Sequence, residues 1–142
     1  MISRNHPYEV FDHTADVGIH AYGDTLAALF IHAAQGMESL MVPLEQVQKA
    51  TSREITAQGH DPVSLLVEWL NELVYLFDTE HLLFCDFTIE TIDETQVVGR
   101  AFGEPYDVQR HEIGSAIKAV TWHEAAVKRT ESGYQARIIF DI

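Results

Sequence analysis

The fold is decided first by residues 8–30, which read YEVFDHTADVGIHAYGDTLAALF. Residues 8–11 are mostly aromatic or β-branched, which favours a strand, and residues 12–16 predict a polar turn. Apolar residues then alternate with polar or small ones over residues 17–22, and this period of two predicts a second strand. Asp24 is expected to be the N-cap of the helix that follows. The stretch therefore predicts a pair of strands that leads directly into a helix.

Two amphipathic helices are predicted in the first half of the chain. Apolar residues recur at three- and four-residue steps from Leu26 to Leu40, and this first helix is expected to end near Pro43. The second helix is expected to begin at Asp61, which is a good N-cap, with Pro62 in its first turn. Its broad apolar stripe predicts that it is the largest contributor to the hydrophobic core.

Patterns typical of β-strands fill most of the remaining chain. Strands are predicted at residues 51–59, from residue 82 to a turn at 93–95, and at 97–102, 117–122, 127–130 and 134–141. Residues 105–115 are expected to be irregular. Helices early and antiparallel strands late indicate an α+β fold, with two main helices packed on one face of a largely antiparallel sheet.

Length, composition and charge restrict the classes of protein to consider. A chain of 142 residues fits one domain, taken here as residues 1–142, and no run of about 18 apolar residues predicts a transmembrane helix. Cys85 is the only cysteine, and its apolar neighbours favour a structural thiol. The net charge of −13 disfavours strong direct binding to nucleic acid or to anionic membranes. We expect a cytoplasmic protein whose charge suits cations, a basic protein partner, or solubility alone.

A candidate metal site lies in the predicted turn after the first strand. Asp12, His13 and Asp16 fall within five residues. Neighbouring carboxylates repel each other unless a cation or a proton compensates, and hard divalent cations prefer oxygen ligands. The turn is therefore expected to supply one or two ligands. The alternative is that these aspartates only bond to their own backbone, as turn aspartates often do.

The last two residues, Asp141 and Ile142, are the second half of that candidate site. The alternation of the final strand directs Asp141 away from its apolar neighbours. If this strand lies beside the turn at residues 12–16, Asp141 and the carboxylate or carbonyl of Ile142 add oxygen atoms. The sequence does not show that the two segments meet, and an exposed acidic terminus is the alternative.

A further candidate cluster lies in the predicted strand at residues 117–122 and just after it. Lys118 and Trp122 share one face of that strand, and His123 follows. Lys118 is a candidate for binding a phosphate or a partner's carboxylate, or its stem only covers apolar surface with the charge in water. The other histidines, including His111, are scattered without a metal-binding spacing and receive no role.

Three segments together resemble one family. Residues 8–19, YEVFDHTADVGI, closely resemble the opening of archease proteins, and residues 21–26, AYGDTL, continue that match. Residues 118–123, KAVTWH, resemble the second motif of the family, and the ending Asp141-Ile142 resembles its terminus. The resemblance covers nearly the whole chain.

The resemblance implies a function. Archease proteins act as cofactors of a GTP-dependent RNA ligase that joins 2′,3′-cyclic-phosphate or 3′-phosphate ends to 5′-hydroxyl ends in tRNA splicing and RNA repair. They promote guanylylation of the ligase and permit multiple turnovers. By resemblance, Asp16, Asp141 and Ile142 are expected to bind a divalent metal, which is calcium, magnesium or manganese. Lys118 and His123 carry over as candidate functional residues.

Two other functions stay open at this point. The first is a stand-alone metal-dependent hydrolase that uses Asp12, Asp16 and Asp141, for which His13 is the one evident base. The second is a general chaperone or scaffold without a metal. The resemblance favours an activator that is not itself an enzyme.

Overall fold

The computed structural model describes residues 7–13 and 16–142. The described elements are, in chain order, β1 Tyr8–His13, β2 Asp16–Gly23, α1 Leu26–Met41, β3 Thr51–Gln58, α2 Pro62–Glu80, β4 Leu82–Ile92, β5 Gln96–Pro105, β6 Ala119–Val120, β7 Ala126–Thr130 and β8 Gly133–Asp141. A short 3₁₀ turn at Leu44–Gln46 follows α1. The α+β class predicted from the order of the elements is confirmed.

The strands form two antiparallel sheets. In the first sheet the order is β1-β2-β8-β6, and β7 also pairs with β8. In the second sheet β5 lies between β3 and β4. The expected helices on antiparallel strands are confirmed, but the strands are divided between two sheets where the sequence suggested one. The helix α1 packs against β2 of the first sheet and β4 of the second.

The core is built from the alternating faces of the strands and the apolar stripes of the helices. Ile19 of β2 and Ile138 of β8 are fully buried and paired in register. Trp69 of α2 is also fully buried, and its indole N–H donates to the carbonyl of Phe30 in α1 at 3.1 Å. This hydrogen bond satisfies the polar atom of the largest core side chain and connects the two helices.

The helix boundaries follow the sequence signals with one exception. Asp61 caps α2 as predicted, because its side chain accepts the N–H of Ser64 and the Ser64 hydroxyl accepts the N–H of Asp61. The cap of α1 is Thr25 and not Asp24, since the Thr25 hydroxyl accepts the N–H of Ala28 at 3.1 Å. The prediction of Asp24 was therefore one residue too early.

One strand prediction and one turn prediction need correction. The strand expected at residues 117–122 is reduced to Ala119–Val120, and Lys118 precedes it. The turn expected at residues 12–16 is shorter, because Asp12 and His13 belong to β1 and Asp16 begins β2. The remaining turn positions, 14 and 15, lie outside the described residues. In the described part of the chain, neither helix is long and apolar enough to cross a membrane.

Candidate metal centre at one end of the first sheet

The pairing of β1 with β2 places two of the candidate acids at one end of the first sheet. Asp12 is paired with Val17, and His13 is paired with Asp16. These are the outermost pairs of the register, so both lie where the hairpin turns. Asp12 and Asp16 therefore lie close to the hairpin turn, although both belong to strands and not to the loop.

The pairing of β2 with β8 brings the end of the chain to the same place. Val17 is paired with Phe140, so Asp16 and Asp141 are the next residues outward on neighbouring strands. Asp141 is in turn paired with Ala119 of β6, and its carbonyl accepts the N–H of Lys118 at 2.8 Å. The tertiary structure therefore joins segments that are about 125 residues apart in the chain. The sequence alone did not show that the end of β8 lies beside the start of β2.

The three candidate acids do not all lie on the same face of the sheet. Paired residues of an antiparallel sheet project to the same face, and successive residues project to opposite faces. Val17 and Phe140 are core residues, so Asp12 shares the core side while Asp16 and Asp141 share the outer side. Asp16 is half-buried, whereas Asp12 and Asp141 are exposed. Asp16 and Asp141 form the closer pair of candidates.

The donor set at this end fits a hard cation in chemistry but is incomplete in number. Carboxylate oxygens of Asp16 and Asp141 and the main-chain oxygen of Ile142 are the donor type that Ca²⁺ and Mg²⁺ prefer. Over the described ranges, no group of three His, Cys, Asp or Glu side chains is close enough to hold a metal. A cation here would therefore need main-chain oxygen or water ligands beside the two carboxylates.

Lys118 lies beside the acidic end, but His123 does not. Lys118 is exposed and directly precedes β6, whose first residue, Ala119, is paired with Asp141. His123 lies after β6 and contacts Glu124 at 3.0 Å, and Glu124 contacts Arg137 at 3.3 Å. Arg137 is four residues from Asp141 along β8, or about 13 Å at about 3.3 Å per residue. The structure thus separates these two candidates along the sheet.

The structure also shows a buried polar cluster that the sequence analysis missed. Glu104, at the end of β5, accepts hydrogen bonds from Arg110, from His111 Nε2 at 2.9 Å and from the N–H of Gln48. The N–H of Asp107 donates to His111 Nδ1 at 2.8 Å, which leaves the Nε2 proton for Glu104. The Arg110 hydrogen bond, with those from Gln48 and His111, lowers the pKa of Glu104 to about 2.

This cluster fixes the irregular segment between β5 and β6. His111 is 3% exposed and was given no role from its spacing, yet it holds that segment against the end of β5. Alternation along β5 places Glu104 on the face opposite Val97 and Ala101, so the sequence pattern carried no signal of its burial. The partners that compensate the buried acid come from outside β5. The segment then runs to Lys118 and so delivers β6 to the acidic end.

The molecule is a small α+β protein in which two antiparallel sheets pack around two helices. Two aspartates lie on neighbouring strands at one end of the first sheet. The model of the Archease protein family (MTH1598/TM1083) matches residues 8–142. The protein archease of Methanosarcina barkeri is 36% identical over the whole of both chains, and that of Pyrococcus furiosus is 37% identical over 95% of this chain and 98% of its own. This chain belongs to the archease family.

Solved structures agree with that membership. The solution structure of protein 1598 from Methanobacterium thermoautotrophicum shares 37% identity, covers 96% of this chain and 99% of its own, and superposes with a TM-score of 0.83. The crystal structure of an archease from Thermotoga maritima, described as a possible chaperone, has a TM-score of 0.64 at 16% identity and covers 93% and 94%. The second likeness is one of fold alone.

Proposed function

We propose that this protein is a metal-binding activator of a GTP-dependent RNA ligase that joins 2′,3′-cyclic-phosphate or 3′-phosphate ends to 5′-hydroxyl ends. It would promote guanylylation of the ligase and multiple turnover in tRNA splicing or RNA repair. Membership of the archease family supports the class of partner. The observation that supports the proposal is the register of β2 and β8, which ends at the Val17–Phe140 pair and leaves Asp16 and Asp141 as the next residues on neighbouring strands.

Asp16, Asp141 and Ile142 are the residues that would hold the metal. A hard divalent cation (calcium, magnesium or manganese) would supply positive charge that neutralises phosphate oxygens when it is bound there. The sheet keeps the two aspartates on neighbouring strands, so their separation does not depend on a loop. Asp12 lies on the other face and is proposed only as a neighbouring acid.

The remaining charges suit docking on a basic protein surface. The net charge of −13 favours encounter with a basic partner, and complementary charge acts mainly on the rate of association. Lys118 is exposed beside the acidic end, where its ammonium group can contact an anionic group of the partner or its substrate. His123 follows β6 and is proposed as a more remote contact of the partner.

The test is RNA ligation by the partner ligase under multiple-turnover conditions with GTP and divalent metal. Asp16→Asn and Asp141→Asn keep the shape of the side chain and remove its charge, so each is expected to abolish most of the stimulation. Asp78→Asn on the exposed side of α2 is the matched control and is expected to stimulate like the wild type. Full stimulation by both site variants would contradict the metal role.

A second readout separates metal binding from activation. A cation at about 100 times its dissociation constant stabilises the folded state by about 2.7 kcal/mol, so the wild type should melt at a higher temperature with calcium, magnesium or manganese. Both site variants should lose that shift and Asp78→Asn should keep it. Stimulation that survives without the metal shift favours a chaperone or scaffold, whereas metal-dependent hydrolysis by the pure protein favours a hydrolase.

A further inference from the structure

The outer face of the first sheet carries an ordered set of side chains beyond the acidic end. The core face is the one that packs on α1, because Ile19 is in contact distance of Gly36 in that helix. Residues 18, 20 and 22 of β2 therefore face outward together with Asp16. The pairing sets His20 beside Arg137 of β8 and Tyr22 beside Gln135.

The strand β7 completes this face on the other side of β8. Arg137 is paired with Ala126, and Gln135 is paired with Lys128. A groove of about 210 Å³ follows these pairs and is lined by His20, Ala126, Lys128, Gln135, Ala136 and Arg137. The groove is centred on β8 and is flanked by a histidine from one neighbouring strand and a lysine from the other.

Arg137 is held in this groove by a ring contact and by an ion pair. Its guanidinium carbon lies 4.6 Å from the centre of the Phe11 ring. That ring occupies space left by Gly18, where an added Cβ would be 2.4 Å from Phe11 Cζ. The nearest carboxylate contact, with Glu124, is 3.3 Å long. The side chain is therefore positioned by the Phe11 ring and by one long, charge-assisted hydrogen bond to Glu124.

One polar atom of Arg137 has no hydrogen-bond partner within the described part of the chain. Its Nε is buried yet unpaired. A buried N–H without an acceptor costs free energy comparable to a lost hydrogen bond. Nε itself is shielded from solvent, whereas the Arg137 side chain as a whole is 32% exposed. An oxyanion in the groove is therefore expected to accept from the terminal nitrogens of the guanidinium, which are charged donors.

The environment of His20 combines an aromatic ring, a cation and a carboxylate. Its ring centre lies 4.8 Å from that of Phe11. Burial and the nearby Arg137 charge lower the pKa of His20, and the opposing influence of Glu9 is the smallest of the three. Lys128 adds a second cation at the exposed side of the groove. Arg137 and Lys128 are the cations that line the groove, and Glu9 and Glu124 are the carboxylates near its edge.

We propose that this groove is a binding site for a compact phosphate anion, such as inorganic phosphate, pyrophosphate or the polyphosphate end of a nucleotide. Arg137 contributes a fork of donors, Lys128 an ammonium group and His20 a ring nitrogen, so donors reach a tetrahedral anion from three directions. The overall negative charge disfavours an extended polyanion such as a long RNA. The site is independent of the proposed role as a metal-dependent activator.

The test uses NMR titration of the metal-free full chain with pyrophosphate, with sodium chloride at matched ionic strength as the reference. Saturable shifts are expected at the Arg137 Nε–H, and the pKa of His20 is expected to rise when the anion binds. Lys128→Gln and Arg137→Gln should each weaken binding by about tenfold, as expected for a charge-assisted hydrogen bond. Because Lys128 is exposed, Lys128→Gln is expected to fold even if Arg137→Gln does not.

Arg100→Gln is the matched control, because Arg100 is a half-buried arginine on a strand of the second sheet that donates to Ser52. It should leave pyrophosphate binding unchanged. Absence of saturable shifts, or equal weakening by Arg100→Gln, would overturn the proposal. Preference for a short single-stranded RNA over pyrophosphate would overturn the assignment to a compact ligand, whereas preference for a nucleoside triphosphate would identify the source of the phosphate.

Discussion

Glu38 shows at the residue scale how burial sets a protonation state. It is fully buried in α1, where one carboxyl oxygen accepts the N–H of Phe84 at 2.9 Å and the other has no partner in the described chain. Burial raises the pKa of Glu38 to about 8, while the hydrogen bond from Phe84 acts in the opposite direction. The carboxyl group is therefore neutral in the folded protein at pH 7.

The raised pKa predicts a specific pH dependence. An unfolded glutamate ionises near pH 4.5 and the folded one near 8, so Glu38 makes the protein less stable as pH rises through that window. The slope it contributes is at most about 1.4 kcal/mol per pH unit. Glu38→Gln keeps the acceptor for Phe84 and should remove this slope, which urea unfolding at pH 5 to 8 measures.

Glu45→Gln serves as the control for that prediction, since Glu45 is exposed after α1. It should retain the wild-type slope. Identical slopes for the wild type and Glu38→Gln would mean that Glu38 is already ionised in the folded state.

At the scale of the element, the start of α1 is where local sequence and tertiary packing compete. Both Asp24 and Thr25 are residue types that cap helices well. Thr25 is the cap because its backbone is extended (φ −128°, ψ 165°) and its hydroxyl reaches Ala28. Asp24 instead lies against Gly133 at the β7–β8 turn, where φ is 145° and an added Cβ would be 2.8 Å from the Asp24 Cα. The neighbouring hairpin thus fixes which residue caps.

This assignment predicts different effects of two adjacent substitutions. Thr25→Ala removes the hydroxyl acceptor and should destabilise the protein by about 1 kcal/mol. Asp24→Ala should cost less, because Asp24 makes no capping hydrogen bond to α1. Thr25→Ser keeps the hydroxyl and should unfold close to the wild type. Chemical denaturation of the three variants measures the order, and a larger loss in Asp24→Ala would restore the sequence-based assignment.

At the scale of the whole molecule, the first sheet organises both proposed sites on one outer face. Asp16 and Asp141 lie at its end, and the groove around Arg137 lies two rows further along. The fixed spacing of the strands separates an acidic end from a locally basic groove. A ligand that bridges the two regions would therefore have to span about 13 Å, by the strand rise per residue.

The charge of the whole molecule predicts how salt affects the proposed activator role. If the ligase presents a basic surface, the association rate should fall by about tenfold or more between about 50 mM and 500 mM salt, because screening shortens the range of attraction. The dissociation rate should change far less. Stopped-flow binding measures both rates, and an association rate that ignores salt would remove electrostatic attraction from the proposal.

The sequence by itself determined the order of helices and strands, the cap of α2 at Asp61 and the family. These depend on local periodicity and local hydrogen bonds, which neighbouring residues control. It also named the candidate acids Asp16 and Asp141, through the resemblance. Their roles stay predictions.

Only the tertiary structure decided that Asp16 and Asp141 lie on neighbouring strands at one sheet end. It also decided that Thr25 caps α1 and that His111 and Glu104 form a buried pair. Each of these depends on contacts between segments far apart in the chain, and no local pattern encodes strand register across such distances. For the same reason the sequence pattern predicted one sheet where the structure has two. Alternation shows which residues of a strand face inward, but it does not show which strands are neighbours.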